Sequence, residues 1–121
     1  MKRLIWVACD CQISKSTVVE IEKSFAVVFR AQHEADEVWV EQAILKGANV
    51  FISPDSDIPD LLETEYADME TYWIPVRQGL RSADQPKYII GQLYRLQRVI
   101  EWKEKQKARQ NEWYVSVVIN N

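Results

Sequence analysis

Apolar and polar residues follow one another along the chain in blocks whose lengths predict strands and helices in turn. Four short apolar runs, each typical of a strand buried on both faces, lie at 4–9, 25–29, 49–53 and 71–76. Between them, three segments with helical spacing of apolar residues lie at about 14–24, 33–48 and 57–69. Short connections between alternating strands and helices favour parallel strands with right-handed crossovers. The pattern predicts a three-layer α/β/α domain with a mostly parallel sheet of four or five strands.

The C-terminal third of the chain extends this pattern. Apolar residues recur at helical spacing from Tyr88 to Ile100, which predicts a long helix over about 84–110 whose first two thirds lie on the sheet. The run "EWYVSVVI" predicts a terminal strand at about 112–119. That strand would be either a fifth strand of the sheet or an exposed edge able to pair with a second subunit. All 121 residues are expected to form a single domain, 1–121.

Composition indicates an ordinary globular protein. Apolar residues make up 47% of the chain and charged residues 27%. No apolar run approaches the roughly 18 residues of a membrane span, and the run at 4–9 is too short for the core of a signal peptide. Cys9 and Cys11 are too close together for an unstrained disulfide, which favours reduced thiols. We therefore expect an intracellular, cytoplasmic protein with no membrane partner.

Charge is distributed unevenly along the chain, whose formal net charge is −3. Residues 1–76 hold 6 basic and 14 acidic side chains, net −8, whereas residues 77–121 hold 9 basic and 4 acidic, net +5. This asymmetry indicates either a cation site beside an anion-binding surface or a solvated helix whose charges are basic.

Acidic side chains follow each of the first three predicted strands. They are Asp10 after the first strand, Glu34, Asp36 and Glu37 at the start of the helix after the second, and Asp55 and Asp57 after the third. Because the carboxyl ends of parallel strands meet at one edge of a sheet, we expect these side chains to converge. Clustered carboxylates without a histidine or cysteine set favour Mg²⁺ or Mn²⁺. This predicts a divalent metal site.

Each acidic residue also has an ordinary structural interpretation. Asp57 could N-cap the helix that starts near Ile58. Asp36 and Glu37 could interact favourably with the helix macrodipole, and Asp10 could be a turn residue. Two arginines, Arg77 and Arg81, follow the fourth predicted strand. With Lys87 they are candidates for binding a substrate phosphate.

The acidic segments resemble the PIN-like nuclease superfamily, particularly its NYN-type branch. The matching segments are "WVACD" with Asp10, "HEADEVWVEQA" with Asp36, and "VFISPDSDIPDLL" with Asp55 and Asp57, so the resemblance covers about residues 3–77. It implies cleavage of RNA that depends on Mg²⁺ or Mn²⁺, with these four aspartates as ligands and a metal-bound water as nucleophile. It leaves open whether Glu34 or Glu37 replaces Asp36. The implied partners are RNA and, if the chain is the toxin of a toxin–antitoxin pair, an antitoxin protein.

Two other hypotheses come from the same residues. In a non-catalytic PIN-like scaffold, Trp102 and Trp113 would form a protein interface, and the C-terminal strand or helix could form a homodimer. In a receiver-like regulatory domain, Asp55 would accept a phosphoryl group beside Mg²⁺, with Asp10 nearby. Such domains also need a lysine after the last strand and a paired acid beside the first, and neither is evident here.

Overall fold

Four strands and four helices alternate in a computed structural model that describes the backbone of residues 3–77 and 79–120 and the side chains of 3–77 and 79–110. The elements, in chain order, are β1 (Trp6–Cys9), α1 (Lys15–Glu22), β2 (Ala26–Arg30), α2 (Asp36–Leu45), β3 (Val50–Ser53), α3 (Asp57–Glu65), β4 (Tyr72–Pro75) and α4 (Gln85–Asn120). All four predicted internal strands and the three helices between them are confirmed.

The four strands form one parallel sheet in the order β2-β1-β3-β4. The central pair aligns Val7 with Val50 and Cys9 with Ile52. The strand order reverses direction between β1 and β3, which makes that crevice the topological switch point where ligands of open α/β sheets bind. We call the edge at which the strands end the carboxyl edge of the sheet.

Two hydrophobic cores lie on opposite faces of the sheet. The first joins residues of α1 and α4, among them Ile21 and Leu93, to one face of the strands. The second joins residues of α2 and α3, among them Trp39 and Leu62, to the other face. All four residues of β3 are buried because both of its faces are covered. The predicted three-layer α/β/α architecture is confirmed.

Local signals set where the internal helices begin and end. The Ser14 hydroxyl accepts the Thr17 backbone N–H at 3.2 Å and caps α1, so Ser14 is the N-cap. Gly47, with φ of +90°, lies just after α2 in a conformation that glycine adopts without strain. Pro59 lies in the first turn of α3, where its missing N–H removes no helical hydrogen bond.

The last helix is longer than the sequence pattern predicts. It begins at Gln85, as expected, but its backbone continues to Asn120, so the prediction of a terminal strand at 112–119 is wrong. Valine and isoleucine in that run favour a strand locally. However, the chain contains no glycine or proline after Gly91 to end the helix, and each added residue extends the helix without a new nucleation cost. The predicted edge strand for a dimer is thus absent from the described backbone, and the side chain of Trp113 lies outside the described residues.

Helix α4 stays beside the sheet further along its length than the sequence predicts. The Lys103 ammonium donates to the Tyr72 hydroxyl at 3.2 Å, and Lys107 pairs with Glu70 at 2.6 Å. The turns around "KEKQKAR" lie beyond the first two thirds of the helix, the part that the sequence pattern places on the sheet, yet they are anchored on one side to β4 and the residues before it. No helix in the described part of the chain is long and apolar enough to cross a membrane.

Candidate metal centre

Asp10 occupies the switch point between β1 and β3. Its side chain is buried, and its backbone N–H donates to the Ile52 carbonyl at 2.9 Å. The Ser53 hydroxyl donates to Asp10 Oδ2 at 2.6 Å, and the Gln12 backbone N–H donates to Oδ1 at 3.3 Å. Each carboxylate oxygen therefore has a donor, as a buried acid requires.

Asp55 lies in the turn that starts α3. Its backbone N–H donates to the Ser53 hydroxyl at 3.0 Å, and its Oδ1 accepts the Asp57 N–H at 2.8 Å. Its carbonyl accepts the Ile58 N–H at 3.2 Å. The side chain of Ser56, the residue before the helix, makes no capping bond. The prediction that Asp57 could N-cap this helix is therefore wrong: Asp57 is the first helical residue, and the Asp55 carboxylate satisfies its N–H.

Asp36 is the first residue of α2 and is held by a tryptophan one turn later. The indole N–H of Trp39 donates to Asp36 Oδ1 at 3.0 Å. Trp39 is itself buried, with its ring centroid 6.1 Å from that of Phe51 on β3. A core residue thus orients a carboxylate at the surface of the site.

Three of the four predicted aspartates come together. Asp36, Asp55 and Asp57, which we call the acid cluster, each offer a carboxylate oxygen, and these three oxygens lie within 4.8 Å of one another. Asp36 and Asp55 are partly buried and Asp57 is exposed. Asp10 lies outside this trio, although its charge helps to raise the pKa of Asp36. Three hard oxygen ligands in such a group could hold a metal ion.

Crowding of carboxylates perturbs the proton affinity of the cluster. The pKa of Asp36 is raised to about 6, first by a hydrogen bond shared with Asp55, then by burial and by the charges of Asp55 and Asp10. The pKa of Asp55 is lowered, because its ionised form accepts hydrogen bonds from Asp36 and from the Asp57 backbone. The pair thus holds one proton on Asp36 in mildly acidic solution, and a bound cation would compete with that proton.

Among the described residues, neither of the glutamates near Asp36, Glu34 and Glu37, is part of the acid cluster. Glu34 turns its carboxylate to the Gln32 backbone N–H at 2.8 Å. Glu37 is exposed in the first turn of α2. Of the three acids that open this segment, Asp36 is the one that faces Asp55.

The predicted phosphate-binding residues lie exposed beyond β4 and at the start of α4. The Arg77 guanidinium carbon is 5.9 Å from the centre of the Tyr88 ring. Among the described residues, neither Arg77, Arg81 nor Lys87 forms an ion pair. The charges of all three are available to an anion, but the structure does not bring them into direct contact with the acid cluster.

Two residues of the site are not identified from the sequence. Ser53 bridges Asp10 and Asp55 through its hydroxyl, and its only sequence signal is a small polar residue at the end of an apolar run. Trp39 orients Asp36, and its signal is the three-residue spacing that places both on one side of a helix.

Comparisons of the chain with protein-family models, with curated proteins and with solved structures found no match. These comparisons therefore assign no function to the acid cluster.

Proposed function

We propose that the protein is a ribonuclease that depends on Mg²⁺ or Mn²⁺ and that holds its ion at the acid cluster. The observation that carries the proposal is the approach of three carboxylate oxygens to within 4.8 Å of one another. Ligands of Mg²⁺ lie about 2.1 Å from the ion, so adjacent ligand oxygens are about 3 Å apart. Small side-chain rotations would bring the three oxygens to that spacing.

The chain's own residues would orient the ligands before an ion binds. Trp39 holds Asp36, the α3 turn holds Asp55, and Ser53 ties that turn to Asp10. A bound ion would supply the charge that stabilises a phosphodiester under attack and would activate a water. Asp36, with its pKa of about 6, would be ionised and available as a ligand near neutral pH.

The choice of RNA as substrate has two supports. One is the resemblance of residues 3–77 to PIN-like nucleases. The other is the exposed basic group after β4, since arginines bind phosphates through charge-assisted, often bidentate hydrogen bonds. Arg77, Arg81 and Lys87 would contact the RNA backbone. The proposal includes a cytoplasmic location and, if the chain is the toxin of a toxin–antitoxin pair, an antitoxin partner.

The first test is Mn²⁺ binding by calorimetry at near-physiological salt. Asp55→Asn removes one ligand charge but keeps an oxygen able to accept the Asp57 N–H, so the turn should survive. We expect its affinity for Mn²⁺ to fall at least tenfold. The matched control is Asp60→Asn, which removes an exposed carboxylate from the first turn of α3, outside the cluster, and should bind like wild type. Equal affinity of Asp55→Asn and wild type would refute the site.

Cleavage of structured and single-stranded RNA in the presence of Mn²⁺ tests the activity itself. We expect Asp55→Asn to abolish cleavage with little loss of stability, and Asp60→Asn to retain it. Wild-type cleavage by Asp55→Asn would contradict the assignment. Metal binding without cleavage of any RNA would indicate a non-catalytic, cation-binding protein.

One observation favours a second candidate, a protein-binding module. Trp102 on α4 is 61% exposed, and Val99, one turn earlier, is also exposed. Aromatic residues of this kind are enriched at interfaces. If neither wild type nor variant binds Mn²⁺, this surface of α4 becomes the better basis for a function. The receiver-like hypothesis has less support, because the sheet seen in the described residues has no fifth strand to carry the lysine such domains need.

A further inference from the structure

A concave site separate from the acid cluster opens at the carboxyl edge, on the face of the sheet that carries α1 and α4. It is a cleft of about 190 Å³ between the β1–α1 turn, the segment after β4 and the first turns of α4. Its polar lining consists of Gln12, Ser14, Thr17, Ser82 and Gln85. We call it the neutral cleft, because no charged side chain is among the described residues that line it.

Gln85 gives the neutral cleft a defined hydrogen-bond acceptor. Its Nε2 donates to the Arg77 carbonyl at 2.7 Å. Since a carbonyl can only accept, this bond fixes which end of the amide is nitrogen. The other end, Oε1, is buried, and no described residue donates a hydrogen bond to it. Rotation about the terminal torsion, which is broad in glutamine, would turn Oε1 toward a ligand, and because Nε2 moves with it the bond to the Arg77 carbonyl would be given up in exchange.

The rest of the lining suits a flat, uncharged ring. Four aliphatic side chains provide the apolar surface, namely Ile13, Val76, Leu80 and Ile89. Among the described residues that line it, a phosphate finds no cation and a metal ion finds no carboxylate. Small-ligand sites combine apolar walls with a few polar groups in this way. The cleft thus has the chemistry of a site for a neutral ring with an N–H donor.

The neutral cleft and the acid cluster share the β1–α1 turn. Gln12 lines the cleft, and its backbone N–H donates to Asp10 Oδ1. Asp10 accepts from Ser53, whose oxygen in turn accepts the Asp55 N–H. A continuous hydrogen-bonded path therefore runs across the carboxyl edge from the cleft to the cluster. The segment that carries Arg77 and Arg81 flanks the cleft on its other side.

We propose that the neutral cleft binds one base of the RNA, next to the phosphate that lies at the acid cluster. The inference rests on the proposed function, whose substrate it specifies. The aliphatic side chains would cover the faces of the base, and Gln85 Oε1 would accept one of its N–H groups. Every RNA base carries such a donor, and a base also offers apolar faces to the aliphatic side chains, which a sugar or a phosphate does not. It does not select one base by this contact alone.

The test uses uncharged nucleosides in the presence of EDTA, so that it depends on neither metal nor cleavage. Adenosine and cytidine are titrated into the full-length protein while backbone NMR shifts are followed. We expect saturable shifts at Ile13, Leu80 and Ile89, and none there with ribose 5-phosphate as a probe without a base. Failure of both nucleosides to shift these residues, or equal binding of ribose 5-phosphate, would overturn the proposal.

Two substitutions in the neutral cleft test whether nucleosides bind there. Gln85→Met removes the acceptor and should weaken nucleoside binding at least tenfold, whereas Gln42→Met, at an exposed position of α2, should have no effect. Because Gln85→Met also loses the bond to Arg77, Ser82→Trp is a second variant that obstructs the cleft from an exposed position. Unchanged affinity in both cleft variants would refute the site.

Asp55→Asn distinguishes failure of this inference from failure of the proposed function. It should bind nucleosides like wild type, because it alters the acid cluster and leaves the cleft lining intact. RNA cleavage without nucleoside binding would refute the base site alone. Nucleoside binding without Mn²⁺ binding would refute the nuclease and leave the cleft as a nucleoside site.

Discussion

Asp36→Asn should stabilise the protein at neutral pH in the absence of metal. Asparagine keeps an oxygen for the Trp39 indole N–H and gains an amide N–H for the Asp55 carboxylate, so it mimics the protonated aspartic acid. It differs in that it never ionises. The substitution therefore removes the repulsion of clustered carboxylates while retaining the local hydrogen bonds.

The pKa of Asp36 sets the size of this effect. A rise from 3.8 to about 6 makes the ionised form about 3 kcal/mol less favourable in the folded state, since a tenfold change in proton affinity is worth about 1.4 kcal/mol. Solvent screening of this partly exposed group reduces the expected gain to about 1–2 kcal/mol. Because the pKa of Asp36 is higher in the folded than in the unfolded state, the free energy of unfolding of wild type falls by this amount as the pH rises from about 4 through 6 and Asp36 ionises. The variant should thus match wild type near pH 4 and exceed it fully above pH 7.

Urea unfolding followed by tryptophan fluorescence in EDTA measures the difference at pH 4 and at pH 7.5. Glu37→Gln is the matched control, because it removes an exposed carboxylate from the same helical turn. It should show no such dependence on pH. A stability difference between Asp36→Asn and wild type that is independent of pH, or that decreases as the pH rises, would refute the proposed repulsion. Addition of Mn²⁺ should then stabilise wild type more than the variant.

Two further substitutions test how the site is held. Ser53→Ala should lower the free energy of unfolding by about 1–3 kcal/mol, because buried Asp10 loses a hydrogen-bond donor. Urea unfolding measures the loss, with exposed Ser56→Ala as the control. A loss no larger than that of the control would show that the Ser53–Asp10 bond does not stabilise the fold. Trp39→Phe should raise the pKa of Asp36 further above about 6, because the indole N–H favours the ionised form. Carboxyl-carbon NMR titration in EDTA would contradict this if the pKa stayed the same or fell.

Much of the fold is predictable from the sequence because β1 and β3 are covered on both faces. Such strands appear as continuous apolar runs, and runs separated by helical segments indicate parallel crossovers. The order β2-β1-β3-β4 is not predictable in this way, since periodicity reports burial and not neighbours. The error at residues 112–119 has a related cause: local preference favours a strand, but a helix already formed continues until something ends it.

The candidate site is predictable to the extent that it depends on strand ends. Asp36, Asp55 and Asp57 meet because each follows a strand of the same parallel sheet. The hydroxyl of Ser53, which links two strand ends 43 residues apart in sequence, depends on pairing that no local pattern reveals. The lining of the neutral cleft depends in the same way on the packing of α4 against the start of α1.

The two sites differ in how far apart their residues lie along the chain, and this gives them different routes of assembly. The acid cluster comes from residues 36–57, a single α2–β3–α3 unit, whereas the neutral cleft joins residues 12–17 to residues 76–89. Contacts that close long loops form late in folding and are among the first lost when an outer helix detaches. Partial release of the first turns of α4 would therefore open the cleft while the acid cluster stayed intact. In native-state hydrogen exchange, Ile89 should accordingly exchange through a lower-energy opening than Val40, a buried residue in the interior of α2.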